Sequence, residues 1–289
     1  MIKWFLLGCF ACSSLFAEDV HFPIIYLISP PRSLSTAFTH MIQERGDFEI
    51  FHEPSMYAYD KIHYPEYAKK TYRSDSFESF DEVKRAVLAA CKKRPVFVKE
   101  MSFAVVDALL KDPEFIQNEK IWFVFLVRNP HHSIISFYNK LQMIPEGFDT
   151  LVGVESLFCL YEALKCQLKN PPVLIRAEEL YTNPYASIKA LCEMLQIPFM
   201  AHALSWERLG DAFDSHEAWH ELKQSIDDVQ HWHGDAITST HFTKPTSYEV
   251  DDNGMPTFSE IVDPIHKKVC IAAWRSSVVF WEKLKSHPD

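Results

Sequence analysis

The sequence predicts an α/β fold with a central, mostly parallel sheet of about five strands, flanked by helices on both faces. Short β-branched or aromatic runs alternate along the chain with amphipathic stretches. Two of those runs, Ile24-Ile25-Tyr26-Leu27-Ile28 and Trp122-Phe123-Val124-Phe125-Leu126-Val127, are apolar throughout, as strands covered on both faces must be. With 289 residues, 47% of them hydrophobic, and no repeat or Pro/Ser-rich linker, residues 18–289 read as one domain with ample material for a core.

Residues 1–17 read as a secretory signal: Lys3 gives the positive start, residues 4–16 are mostly apolar, and Ala17 stands before Glu18-Asp19 as a cleavage point. The run is too short to cross a bilayer, so no integral span is expected. An exported or secretory-lumen setting follows from this reading, with the cytoplasm as the alternative if the segment is a first apolar strand or helix. Residues 23–29 form the first strand. Residues 35–45 follow as a helix with Ala37, Phe38, Met41 and Ile42 on one face and Gly46 as its stop. Strands over 48–51 and 96–98 enclose a helix striped by Phe80, Val83, Val87 and Cys91, and further strands cover 121–127 and 173–176. Asn183-Pro184 opens another helix as N-cap and first helical residue, carrying Ile188, Leu191, Cys192 and Leu195. Residues 205–256 set Trp206, Trp219 and Trp232 among acidic residues and histidines without a clear period, the pattern of a long irregular cap. The last helix carries Cys270, Ala273, Trp274, Trp281 and Leu284 on one face, with Pro264 at its start.

The balance of 29 Lys plus Arg against 39 Asp plus Glu, a net charge of −10, argues against nucleic acid as a partner while leaving room for a basic pocket. Cys91, Cys159, Cys166, Cys192 and Cys270, mostly in apolar helical contexts, read as buried thiols rather than a disulfide framework. A zinc site from His231, His233 and His241 lacks partner cysteines and is not expected. Nothing in the sequence bears on oligomeric state.

The first strand runs directly into Ser29-Pro30-Pro31-Arg32-Ser33-Leu34-Ser35-Thr36 and then a helix. Uncommitted N–H groups at a helix start, the hydroxyls of Ser33, Ser35 and Thr36 and the charge of Arg32 make an anion trap; the competing reading is an ordinary turn with a Ser or Thr N-cap. The loop has neither the glycines nor the lysine of GxxxxGK[ST], which excludes a Walker-type nucleotide loop. A second segment, Arg128-Asn129-Pro130-His131-His132-Ser133-Ile134-Ile135-Ser136, ends a buried strand with an arginine able to fork onto a phosphate. Pro130 then opens the next helix, with Ser136 two turns along.

In this order the two segments resemble the phosphosulfate-binding loop and the 3′-phosphate segment of sulfotransferases. Arg32-Ser33-Leu34-Ser35-Thr36 fills the places of a basic residue followed by Ser-Gly-Thr-Thr, with Leu34 for the glycine and Arg32 for the commoner lysine. Arg128 and Ser136 match the arginine and the serine eight residues on. Glu178-Glu179-Leu180 with Asn183-Pro184 resembles a structural signature near the end of such domains. Ser239-Thr240-His241-Phe242 resembles a Ser-Thr-Gly-Phe segment that would close over the nucleotide. The Arg-Lys-Gly segment of the animal enzymes is not reproduced, and Lys244 is the candidate substitute.

The resemblance implies a three-layer P-loop-like fold and transfer of a sulfuryl group from 3′-phosphoadenylyl sulfate, as co-substrate, to a hydroxyl or amine of a small-molecule or carbohydrate-like acceptor. Its cofactor residues would be Arg32, Ser33, Leu34, Ser35, Thr36, Arg128, Ser136, Ser239 and Thr240. By the same resemblance Glu53, in His52-Glu53-Pro54 at a strand end, would be the general base, with His52 as the alternative. Lys99 would stabilise charge on the sulfuryl group or contact the acceptor, or else be a surface lysine. Fixed basic groups such as Arg32 would do what a metal does in kinases, so no metal is required. A diverged phosphotransferase and a non-catalytic nucleotide-binding effector of the same fold are the rival readings. Tyr57, Tyr59 and the tryptophan-rich cap are expected to shape the acceptor pocket.

Overall fold

The computed structural model describes residues 22–208, 219–220, 226–244, 246 and 248–286, so the signal segment expected over residues 1–17 lies outside the described residues. Five parallel strands, β1 (Ile24–Ser29), β2 (Glu49–His52), β3 (Val96–Met101), β4 (Ile121–Val127) and β5 (Val173–Arg176), form one sheet in the order β2-β3-β1-β4-β5.

The pleat of β1 shows why it sits at the centre. Ile24, Tyr26 and Ile28 pack on one face with α4 (Phe80–Ala90), α5 (Ser102–Leu110) and α9 (Val154–Lys165). Ile25 and Leu27 pack on the other with α1 (Ser35–Arg45) and α11 (Pro184–Met194). Each such side chain contributes about 1.5–3 kcal/mol on full burial, and only a chain apolar at every position serves both layers. The long final helix α13 (Pro264–Lys285) lies against α7 (Pro130–Leu141), α8 (Phe148–Val152) and α9, closing a third apolar cluster around Phe137, Phe148 and Trp274. Among the described residues no helix is long and apolar enough to cross a membrane.

Four expectations need correction. β3 does not stop at Val98: it continues through Lys99 and Glu100, which pair in register with Leu27 and Ile28 of β1 and have no solvent exposure. Cys159 and Cys166 are exposed while Cys91, Cys192 and Cys270 are buried; all five are free. The cap is only partly irregular, because α12 (Ile226–Ile237) buries Val229, His233 and Ile237 at a four-residue spacing. Finally, no serine or threonine caps α1; Leu34 holds the cap position in a left-handed conformation.

The strand order positions the site. Leaving β1, the chain passes through α1 to β2, beyond β3, and only later reaches β4 on the other side of β1. The carboxyl end of β1 is therefore the point where connections diverge and a crevice opens. Gly153, between α8 and α9, braces the floor of that crevice. Its φ is +75°, and a Cβ there would lie 2.7 Å from Ser102 Oγ and 3.4 Å from Pro30 Cα. Ser102 is itself buried and donates to the Gly153 carbonyl at 2.7 Å. Gly153→Ala is expected to destabilise the fold by roughly 2–4 kcal/mol, combining left-handed backbone cost with displacement of a buried neighbour. Urea denaturation checks it; a loss below about 1 kcal/mol would show that the junction yields freely.

Candidate active site

A cavity of about 860 Å³ opens over the carboxyl ends of the strands, with the residue 29–36 loop at one end. The loop turns tightly because two non-glycine residues adopt left-handed backbone, Arg32 at φ 60° and Leu34 at φ 67°. Each costs about 1–2 kcal/mol. That geometry leaves the start of α1 without a side-chain cap and buries Ser33, whose Oγ has no hydrogen-bond partner among the described residues. Arg128, just past β4, is 4% exposed and fixes the loop by donating from Nη1 to the Arg32 carbonyl at 2.6 Å, while its Nε also has no partner among the described residues. Burial pulls the Arg128 pKa down, opposed by Glu178, but a guanidinium stays cationic. Ser33 and Arg128 both line the cavity, as do Leu34, Ser35 and Thr36.

Arg32 turns away from Arg128 toward α12. Its Nε donates to Ser136 Oγ at 3.0 Å, Nη1 to the Trp232 carbonyl at 2.7 Å and Nη2 to Asp235 Oδ2 at 2.7 Å. Lys140 approaches the same carboxylate at 3.4 Å. Burial works against the Asp235 carboxylate, yet Lys140 and Arg32 together hold its pKa below the ordinary aspartate value. His233 Nδ1 lies 3.3 Å from Thr36 Oγ1, so α12 is fastened to the loop at three residues. Ser239 and Lys244 line the cavity; Thr240 does not, its hydroxyl lying 3.1 Å from His241 Nδ1.

The end of β2 supplies the second group. Glu53, at φ 52°, lines the cavity and receives Lys99 Nζ at 2.5 Å on Oε1. Lys99 is wholly buried, which overturns its reading as a surface residue, and neither it nor His52 lines the cavity. His52 is held by Thr39, whose hydroxyl donates to the Ser35 carbonyl at 3.0 Å and lies 3.2 Å from His52 Nδ1. The Nε2 of His52 lies 3.4 Å from Glu53 Oε1. Lys99 supplies the positive charge beside that carboxylate. His40, behind them between Trp206 and Trp219, is lowered to about 3 by burial, with His52 and His233 adding to the shift.

His52, Glu53 and His233 offer ligand atoms within 4.8 Å of one another, unlike the His231, His233 and His241 set weighed from sequence. The carboxylate of that cluster is already engaged, since Lys99 Nζ donates to Glu53 Oε1 at 2.5 Å. The tryptophans also divide differently from expectation. Trp206 and Trp219 are buried in the core beside α1, Trp219 donating to Gln43 Oε1 at 2.7 Å, and only Trp232 lines the cavity. Tyr64, Tyr67 and Tyr72 line it in place of Tyr57 and Tyr59.

Comparison with known proteins adds a family. A profile described as "Sulfotransferase domain" matches residues 24–251. Branched-chain-amino-acid aminotransferase-like protein 2 of Arabidopsis thaliana is 34% identical over 186 residues, 64% of this chain and 32% of that protein. Protein 1 of the same name and plant is 27% identical over 235 residues, 78% of this chain and 37% of that protein. The chain thus spans about a third of the length of these curated relatives. Among solved structures, the sulfotransferase domain of a Synechococcus PCC 7002 olefin synthase has TM-score 0.44 and 14% identity, covering 88% of this chain and 94% of that one. A mouse sulfotransferase complexed with PAP has TM-score 0.45 and 14% identity, covering 94% of each chain.

The two carboxylates beneath the site are differentiated by environment. Glu100 is fully buried, and burial raises its pKa to about 8 against the hydrogen bonds of Ser55, whose N and Oγ donate to Oε1 at 3.1 and 2.6 Å. The folded state therefore keeps a proton that the unfolded chain releases near the ordinary glutamate value of 4.5, and stability falls as pH rises from there toward 8. Glu100→Gln is expected to remove this loss. Denaturation at pH 5 and pH 8 should show the unsubstituted chain falling relative to the variant by up to about 1.4 kcal/mol per pH unit. Parallel stability profiles would show that Glu100 is ionised in the fold.

Proposed function

The chain belongs to the sulfotransferase domain family, and from that premise we propose that it transfers a sulfuryl group from 3′-phosphoadenylyl sulfate to a hydroxyl or amine of a small acceptor. The observation that carries the donor assignment is the pair of buried, unpartnered groups at the loop, Ser33 Oγ and Arg128 Nε, beside an uncapped helix start. Burying such groups without a partner costs about 1–3 kcal/mol each, and a phosphate oxygen would satisfy them together.

In the proposed reaction the acceptor oxygen attacks sulfur in line as its proton passes to the Glu53 carboxylate. The bond from sulfur to the donor phosphate oxygen breaks, and the electron pair leaves on that oxygen. Loop N–H groups stabilise the leaving phosphate, joined by Arg32 once its fork exchanges Asp235 for the nucleotide. Lys99 acts through Glu53, holding the carboxylate in place. One observation favours a second reading, a binding protein without turnover: the Arg32 fork is already engaged by the protein's own groups.

Calorimetric titration of 3′,5′-adenosine bisphosphate into the chain tests the donor site, with magnesium-ATP as control, and turnover separates the two readings. Arg32→Ala and Arg128→Ala are each expected to weaken binding more than about tenfold, roughly 1.4 kcal/mol. Asp235→Asn, which frees Arg32 from an exposed ion pair, is expected to tighten it about two- to five-fold. Glu53→Gln should bind the bisphosphate but lose turnover. Unchanged turnover in Glu53→Gln would remove the base assignment, and absence of bisphosphate binding would refute the donor.

A further inference from the structure

The half of the cavity remote from the loop differs in kind from the half just described. α2 (Met56–His63), α3 (Pro65–Thr71), the start of α5 and the inner face of α7 surround it, and Met56, Met101, Phe103, Phe137, Leu141 and Leu151 form its walls. The tyrosines there turn their polar ends toward protein partners. Tyr64 donates to the Glu146 carbonyl at 3.0 Å, Tyr72 donates to Asp60 Oδ2 at 2.8 Å, and Tyr67 accepts from Trp232 Nε1 at 3.2 Å. The cavity therefore meets their rings more than their hydroxyls. Asp60 is 4% exposed and tied to Tyr72. At the outer rim the wall continues through Met143, which is 56% exposed, and Pro145.

We propose that this half is an acceptor site for an elongated apolar alcohol or phenol, bound with its one hydroxyl at Glu53 and its body running out along Phe103 and Phe137 to Met143. The inference rests on the sulfuryl-transfer reading and narrows it. A carbohydrate, expected above as an alternative acceptor, carries hydroxyls around its whole perimeter. Each would be stripped of water against methionine, leucine and phenylalanine walls and against tyrosines whose hydroxyls are already bonded. An apolar body instead gains from burial in a preformed apolar channel and leaves just one polar group to satisfy, at the atom where reaction occurs. The exposed methionine at the rim lets the occupant extend past the enclosed part of the cavity, so chain or ring length is tolerated. In the transfer step that hydroxyl loses its proton to Glu53 and forms the new bond to sulfur, while the bond from sulfur to the donor phosphate oxygen breaks.

The test reads acceptor binding apart from turnover. 2-Naphthol and methyl glucoside are each dialysed to equilibrium against the full chain, beside Phe103→Ser and Met143→Glu variants, with adenosine bisphosphate binding measured on every sample. 2-Naphthol is expected to bind at least tenfold tighter than the glucoside. Both variants should weaken it at least threefold while leaving bisphosphate affinity unchanged. Met143 is exposed, so its variant tests the channel even where Phe103→Ser fails to fold. Glucoside binding as tight as naphthol binding, or naphthol binding unmoved by Met143→Glu, overturns the proposal while bisphosphate binding leaves the donor reading standing. A chain that binds 2-naphthol at the channel but not the bisphosphate upholds the apolar site and refutes sulfuryl transfer.

Discussion

The ion pair between Lys99 and Glu53 governs the end of the sheet where the chemistry lies. Parallel register places Lys99 beside Leu27 on one side and His52 on the other, with no water in reach, so the ammonium needs an anion. Glu53 provides it only by leaving β2 in a left-handed turn. One carboxylate is thereby fixed at the cavity edge, and Lys99 works against the burial that pushes the neighbouring Glu100 toward the neutral form. A buried pair of this kind contributes little net stability, and its value lies in fixing where the charge is.

The loop at β1 applies the same logic to the backbone. Glycine would accept the left-handed conformation at Leu34 freely, whereas leucine carries a penalty that the surrounding structure must hold in place. Leu34 offsets part of it by packing against the core cluster that contains Phe38 and Met41. Arg128 holds the Arg32 carbonyl from below, and Gly153 brings the α8–α9 junction against Pro30. A loop with no glycine thus holds its tight left-handed turn through packing where glycine would supply conformational freedom.

Much of this was legible in the sequence because its signals are local. The five strands, the helix after Arg32, the proline-started helices at Pro130 and Pro184 and the family resemblance all rest on short patterns. What escaped rests on contacts that period and motif do not encode. Lys99 and Glu100 are charged, which in sequence reads as the end of β3, and only their register beside Leu27 and Ile28 of β1 shows that they continue it. Asp235 pairs with an arginine 203 residues away. The helix around it was masked because one of its three buried positions, His233 between Val229 and Ile237, is polar. Tyr57 and Tyr59 miss the cavity because α2 turns Met56 and Asp60 toward it, while Tyr64, Tyr67 and Tyr72 reach it from α3 and its two ends.

The position of Asp235 has a reason in the charge of the whole molecule. A chain of net charge −10 that gathers Arg32, Arg128 and Lys140 around one crevice concentrates positive potential against its own average. Left bare, Arg32 would be only loosely positioned and would attract any anion in solution. Asp235 gives it a partner of the right charge at the tip of a helix whose other anchors are the Trp232 carbonyl and the contact between His233 and Thr36. Because Asp235 is exposed, that partner is weak and exchangeable, while Arg128 below it is buried and committed to the loop. The two arginines thus divide the work, one fixing the cradle and the other available to change partners when an anion enters.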